Sequence, residues 1–115
     1  MFQLSVNSFI PNKAVPARRP HAILLLTRIN FELALGCFEM NLADGEIRFR
    51  TSLMVPAVDI TPGIVEHLLR SNLCIVDERY PQIMAVLYAG VTPEEALKPK
   101  EDKNEAETEP RFELN

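Results

Sequence analysis

The first ten residues alternate between apolar and polar side chains. The apolar positions are Phe2, Leu4 and Val6. An alternation with a period of two is typical of a strand with one buried face, and Pro11 predicts where this strand ends. The following stretch, residues 12–20, contains two further prolines and three basic side chains, which favours a stiff connection over a regular element.

A helical pattern follows this connection. Apolar residues recur there with the three- and four-residue spacing of an amphipathic helix. They are Ala22, Leu25, Leu26, Ile29 and Leu33. Pro20 suits the first turn of a helix, and Gly36 suits the position just after its end. The sequence therefore predicts a first helix over about residues 20–35.

Asp44-Gly45 predicts a β-hairpin with a two-residue type I′ turn, because both central positions of that turn need a positive φ. Counting outward from the turn places apolar residues opposite apolar ones and acidic opposite basic. The predicted pairs are Leu42–Ile47, Asn41–Arg48, Met40–Phe49 and Glu39–Arg50. We expect the second strand to continue to about Val55, since Pro56 cannot extend it.

Thr61-Pro62 predicts the start of a second helix over about residues 62–77. Its inner stripe is predicted to consist of Val65, Leu68, Leu69, Asn72 and Val76. Pro81 then either kinks this helix or starts a new one, because proline cannot donate the helical hydrogen bond. Thr92-Pro93-Glu94-Glu95 is a capping box that predicts a short third helix ending before Pro99.

These elements predict one α+β domain over residues 1–97, in which an antiparallel sheet has helices packed on one face. The composition changes after Leu97. Ten of the 18 residues from Lys98 to Asn115 are charged and three are apolar. Such a segment buries too little apolar surface to offset its conformational entropy, so we expect a disordered tail over residues 98–115.

Charge and hydropathy exclude several classes of function. Twelve basic and 16 acidic side chains give a net charge of −4, which argues against nucleic-acid binding. Apolar runs such as Ala22–Leu26 are far shorter than a membrane-spanning helix. The first residues lack the basic and apolar regions of a secretory signal, so we expect a cytoplasmic protein.

Few residues have the spacing of a catalytic or metal-binding motif. His21 and His67 are far apart, and we expect both at the surface. Cys37 and Cys74 do not form a C-x-x-C pair, which favours ordinary packed thiols over a metal or dithiol site. A single redox-responsive thiol is the alternative. We therefore predict no catalytic residue, no metal and no cofactor.

The outer face of the hairpin carries the best candidate binding residues. They are Glu39, Asn41, Arg48 and Arg50, with Glu46 beside them. The simpler interpretation is a solvated sheet face stabilised by cross-strand ion pairs. The functional interpretation is an arginine pair that recognises a carboxylate or a phosphate.

A second polar group lies in the second helical region. Asp77 and Tyr80 precede Pro81, where we expect a structural junction in which Asp77 caps a helical segment and Tyr80 buries its ring. Asn72 falls on the predicted inner stripe. A buried amide needs hydrogen-bond partners, so Asn72 is expected to tie the second helix to the sheet.

Phe38–Ser52 closely resembles the hairpin of the bacterial YbjN-like family, in which F-E-L-N-x-x-D-G-E-I-R-[FY]-[KR]-T-S recurs. Shorter segments are similar to the second half of that family's domain, and the likeness spans about residues 1–97. They are Ile60–Pro62, Asn72–Leu73, Met84–Tyr88 and Pro93–Ala96. The resemblance implies a type III secretion chaperone-like fold and a role in regulating sensory transduction. Chaperones of that fold often dimerise and bind peptide segments of partners, and no catalytic residues are established for the family that could be carried over.

Family domains have a helix and two strands before the strand that resembles Phe2–Ile10. Compared with them, either the start of this chain is assigned late or the domain is naturally shortened. A shortened domain would have an unpaired sheet edge, which favours a homodimer or another partner strand. We expect a non-enzymatic module that binds a protein or peptide, with neither nucleic acid nor membrane as partner. The alternative is a small-ligand sensor or an enzyme with a pocket between the helices and the sheet.

Overall fold

A computed structural model describes residues 1–99 of the chain. The elements are β1 (Phe2–Phe9), α1 (Arg19–Glu32), β2 (Cys37–Met40), β3 (Ile47–Val55), α2 (Pro62–Tyr88) and α3 (Pro93–Leu97). The three strands form one antiparallel sheet in the order β1-β3-β2, and the helices pack against it. The predicted α+β class is confirmed.

β1 pairs with β3 along its whole length, from Phe2 opposite Val55 to Phe9 opposite Arg48. The predicted alternation is confirmed, because Leu4 and Val6 are half-buried while their neighbours on either side are exposed. Alternate side chains of β1 therefore face the helices, and the others lie on the opposite face of the sheet.

The stripe predicted for α1 is also confirmed. Ala22, Leu25, Leu26 and Ile29 are buried. The predicted end at residue 35 is wrong, because the helix ends at Glu32 and Leu33 already has an extended backbone. Gly36 is not the helix terminator. It has a φ of 78° in the turn before β2, where an added Cβ would lie 2.7 Å from the ring of Phe49.

The predicted register of the hairpin is wrong by two residues. Met40 lies opposite Ile47 and Glu39 opposite Arg48, and the rings of Phe38 and Phe49 are 4.5 Å apart. Leu42, which was expected to pair with Ile47, lies in the loop and is exposed. A shift of two residues leaves every side chain on its expected face, since the side-chain period of a strand is also two.

Hydrogen bonds within the loop explain the shift. The Asn41 N–H donates to the Glu46 carbonyl and the Gly45 N–H to the Asn41 carbonyl, so four residues connect the strands. The side chains of Asn41 and Asp44 accept from the N–H groups of Ala43 and Glu46, both at 2.9 Å. Only Gly45 in this loop has a positive φ, whereas a type I′ turn would require one at Asp44 as well.

α2 is one helix of 27 residues that runs through Pro81. The predicted junction is therefore wrong, and Asp77 is an exposed residue within the helix and not a cap. An internal proline costs about 3 kcal/mol. Burial of Ile83, Val86 and Leu87 after it offsets this cost by keeping the second half of the helix on the core.

The inner stripe of α2 was predicted correctly only in part. Leu68 and Asn72 are buried, but Val65 and Leu69 are 43% and 45% exposed. α3 begins as predicted, because the Thr92 hydroxyl accepts a hydrogen bond from the Glu95 N–H at 3.2 Å. The predicted tail over residues 98–115 falls outside the described residues except for Lys98 and Pro99.

The space between the helices and the sheet is filled by apolar side chains from every layer. The larger of those with at most 1% exposure are Leu25, Ile29, Ile47, Phe49, Ile83 and Val86. This packing orients the sheet so that one face and the β1 edge are left for other contacts.

Candidate functional site

The face of the sheet directed away from the helices is the first candidate site. Strand alternation brings four cross-strand rows of side chains onto it, and all of these side chains are exposed or half-buried. Each row is given from β1 toward β2. The rows are Gln3 with Met54, Ser5 with Ser52, Asn7 with Arg50 and Cys37, and Phe9 with Arg48 and Glu39. We call this surface the outer face.

Three predicted binding residues form an ion-pair cluster on the outer face. The Glu39 carboxylate accepts from Arg48 Nε at 3.0 Å and from Arg50 Nη2 at 3.2 Å. Each side chain is about a third or more exposed, so these pairs are of the surface type, which contributes about 0.2 to 1 kcal/mol. One carboxylate thus serves two guanidinium groups, each with five N–H donors.

A surface hollow of about 310 Å³ adjoins this cluster. Its lining comprises Glu39, Met40, Asn41, Glu46 and Arg48. Asn41 reaches the hollow, but its side-chain oxygen already accepts from the backbone of Ala43. The structure therefore brings the predicted residues together, while giving Asn41 a part in shaping the loop.

Two apolar side chains on the outer face were not predicted as site residues. Phe9 lies opposite Arg48 in the sheet and is 56% exposed, and Met54 is 58% exposed. Phe9 could have been recognised from the sequence. It is an odd-numbered residue of the strand, like Ser5 and Asn7, and therefore lies on the same outward face. An exposed apolar side chain on the outward face of a strand is a common feature of contact surfaces.

The edge formed by β1 is the second candidate site, and within residues 1–99 β1 pairs only with β3. The Ile10 N–H donates to the Ile47 carbonyl at 2.8 Å, which fixes the phase of the hydrogen bonds. Because these groups alternate along an antiparallel strand, the N–H and C=O groups at positions 3, 5, 7 and 9 point away from β3. β1 contains neither a charged residue nor a proline.

The edge formed by β2 is covered. Asn30 of α1 donates to the Phe38 carbonyl at 2.9 Å and accepts from the Phe38 N–H at 2.7 Å. Both backbone groups point away from β3. The N–H of Asn41, three residues further along the chain, donates toward the β3 side, and the direction alternates from residue to residue. The amide thus takes the place of a neighbouring strand.

Asn72 ties α2 to the seam between β1 and β3, as predicted. It is fully buried, and its Nδ2 donates to the carbonyls of Val6 and Phe49 at 3.1 Å and to Thr51 Oγ1 at 3.2 Å. Its Oδ1 accepts from the Ser8 hydroxyl. This amide is therefore a structural residue whose NH2 group and oxygen both take part in hydrogen bonds.

Tyr80 packs half-buried against the core, as predicted, and its hydroxyl donates to Asn12 Oδ1 at 3.4 Å. His67 is exposed as expected, but His21 is half-buried and its Nδ1 is buried without a hydrogen-bond partner. Cys37 is half-buried and Cys74 is exposed.

Within residues 1–99, His, Cys, Asp and Glu side chains do not gather into a group of three suited to a metal. In the same range, every helix is too short or too polar to cross a bilayer.

The tip of the hairpin holds one carboxyl with a shifted pKa. The Glu46 N–H donates to Asp44, and this bond lowers the pKa of the Asp44 carboxyl below its ordinary value. Lys13 lies 3.4 Å from the same carboxylate and adds to the lowering. The loop therefore favours a charged Asp44.

Comparison of the chain with family models, with curated proteins and with solved structures found no match. The YbjN-like resemblance of the hairpin stays a prediction.

Proposed function

We propose that the protein is a non-enzymatic interaction module that binds a segment of a partner protein on the outer face of its sheet. One observation carries this proposal: Phe9 and Met54 are exposed on the same face as the Glu39–Arg48–Arg50 cluster. Exposed apolar side chains next to arginines are typical of the surfaces at which proteins bind each other.

The charges of the cluster define the chemistry of the partner. Two guanidinium groups share one carboxylate, so the cluster has an excess of donors and one net positive charge. An incoming carboxylate is the group that such donors bind best. Phe9 and Met54 would contact apolar side chains of the same segment. We therefore expect an extended segment that combines acidic and apolar residues.

The resemblance to the YbjN-like family agrees with this proposal, since chaperones of the implied fold bind peptide segments of other proteins. A cytoplasmic location is part of the same proposal. The alternative, a small-ligand sensor or an enzyme, needs a cavity between the helices and the sheet. A panel of metabolites tested for a rise in melting temperature separates the two, because a ligand bound only by the native state stabilises it.

Selection from a library of displayed peptides tests the proposal directly. We expect wild-type protein to enrich acidic–apolar sequences, and the Arg48→Glu/Arg50→Glu variant to lose that enrichment by at least about tenfold, or 1.4 kcal/mol. Arg70→Glu is the matched control. Arg70 pairs with Glu66 on the exposed surface of α2, so the same charge reversal there should leave enrichment unchanged.

Two results would contradict the proposal. One is the absence of any enrichment on folded wild-type protein, and the other is equal enrichment by the wild type and the double variant. Thermal unfolding of both proteins shows whether they are folded in the selection.

A further inference from the structure

We propose that β1 pairs with β1 of a second copy of this chain, in antiparallel orientation around a two-fold axis at Val6. The same axis brings the exposed leucines of the two α2 helices together beneath the strands. This inference rests on the proposed role as an interaction module and names one of its partners. The proposed interface consists of the β1 edge and α2, and it does not include the outer face.

The phase of the hydrogen bonds restricts the registers that are open to such a pair. Odd-numbered residues of β1 direct their N–H and C=O groups outward, so two copies bond only when odd residues face odd residues. Around Val6, Gln3 then lies opposite Phe9 of the copy and Ser5 opposite Asn7. Seven residues of each strand overlap, over about 24 Å.

The surface of α2 beside this edge is apolar. Leu69 and Leu73 are 45% and 48% exposed. With Val76 and Tyr80 they follow the i, i+4, i+7, i+11 spacing of one helix face. Tyr80 marks the direction of that face, because its hydroxyl bonds to Asn12 just beyond the end of β1. The two exposed leucines therefore lie on the side of α2 that follows β1.

The edge and the leucines have the same centre, which is the main argument for a second copy. Nδ2 of Asn72 bonds to the Val6 carbonyl at 3.1 Å, so the level of residue 72 on α2 corresponds to the centre of β1. Leu69 and Leu73 flank that level. A two-fold axis through Val6 normal to the sheet thus places Leu69 of one copy near Leu73 of the other.

Such an interface is self-complementary in both of its layers. A two-fold axis normal to the sheet keeps the helices of both copies on the same side, so the strands form one six-stranded sheet and the α2 helices pack antiparallel below it. β1 contains no charged residue whose like charge would meet it across the axis. Half-buried Leu4 and Val6 become covered, together with the exposed leucines.

Light scattering after size exclusion tests the dimer. We expect wild-type protein to have twice the 13.0 kDa mass of the chain at about 1 to 100 µM, the range of moderate protein affinities. Ser5→Pro removes an outward N–H that β3 does not use, so it should shift the midpoint of dissociation at least about tenfold upward. Ser5→Ala keeps that N–H and should remain dimeric.

Leu69→Glu/Leu73→Glu tests the helical layer. Both positions are exposed in one copy, so the variant should fold and become monomeric. A monomeric wild type at the highest concentration would overturn the proposal, and so would a dimer that survives both Ser5→Pro and the double substitution. Arg48→Glu/Arg50→Glu should leave the dimer intact. Loss of peptide binding and loss of the dimer are thereby distinguishable.

Cross-linking tests the register. In a background of Cys37→Ser and Cys74→Ser, Val6→Cys should form a disulfide dimer under mild oxidation, because residue 6 faces itself at a Cα separation of about 4.5 Å. Leu4→Cys is the control, since residue 4 faces residue 8 of the copy. Cross-linking by Leu4→Cys and not by Val6→Cys would overturn this register.

Discussion

The two outer strands of the sheet are each tied to a helix by one asparagine, but the two amides bind different groups. Asn30 bonds to the backbone groups of Phe38 that point away from the sheet. Asn72 bonds to the carbonyls of Val6 and Phe49, which lie in the seam between β1 and β3. The first amide covers an edge, and the second fixes a strand while leaving its edge uncovered.

This difference gives the two edges different uses. β2 has four residues, and its edge is covered by α1, so another strand cannot bind there without displacing Asn30. β1 has eight residues, and its outward groups are open within the described part of the chain. Natural proteins protect edges that must not pair, and the contrast supports β1 as an edge that pairs.

Removal of Asn72, which anchors β1, should cause the largest loss of stability. Asn72→Ala leaves the Ser8 hydroxyl without its partner, removes one of the two partners of the Thr51 hydroxyl and creates a cavity at a fully buried position. We expect a loss of about 2 to 4 kcal/mol in the free energy of unfolding, measured by urea denaturation. Glu78→Ala, at an exposed position of the same helix, is the control and should cost less than about 1 kcal/mol.

The same variant tests whether the β1 edge depends on this anchor. If β1 is held mainly by Asn72, hydrogen exchange in β1 should accelerate more than exchange in β2. Equal acceleration in both strands would mean that the amide stabilises the domain as a whole, and would remove the basis for treating the two anchors as different.

Removal of Asn30 should have a smaller effect on stability and an additional effect on association. Asn30→Ala leaves the Phe38 N–H and C=O to water, so we expect a loss of about 1 to 2 kcal/mol. The uncovered β2 edge should then take part in concentration-dependent self-association, seen by light scattering. Thr27→Ala, on the exposed surface of the same helix, should change neither. A destabilised variant with unchanged association would show that α1 shields β2 without help from the amide.

Periodicity predicted the parts of this fold that depend on which side chains are buried. It identified the faces of β1 and α1 because burial of an alternating or helical stripe dominates their energetics. It failed at the hairpin, where the side chains of Asn41 and Asp44 bond to backbone N–H groups and stabilise a four-residue loop. Such local bonds compete with the turn preference of Asp-Gly.

Other errors came from contacts between distant segments. Pro81 predicts either a kink or the start of a new helix, and the new helix is wrong because the core on both sides of Pro81 keeps α2 continuous. The candidate cluster on the outer face was predicted because charge alternates with apolar residues along the hairpin. The cover of β2 by Asn30 was not predictable, because nothing in the local sequence shows which backbone groups a helical amide will meet.

The smallest expected effect is a pH dependence of stability. It distinguishes the hairpin, which contains Asp44, from β1, which has no titratable side chain. The pKa of Asp44 is lower in the folded chain than its ordinary value of 3.8, mainly because the Glu46 N–H donates to it. A carboxyl with a lowered pKa adds stability above its unfolded pKa and loses it as the pH falls through the folded value. Wild-type protein should therefore be more stable than Asp44→Asn at pH 7, and the difference should shrink below about pH 4. Lys13→Ala should retain most of this pH dependence, because the backbone bond is the larger cause. If Lys13→Ala abolished the pH dependence, the lowered pKa of Asp44 would be due to the ion pair instead. The charged form of Asp44 would then be stabilised by Lys13, which lies in the connection between β1 and α1.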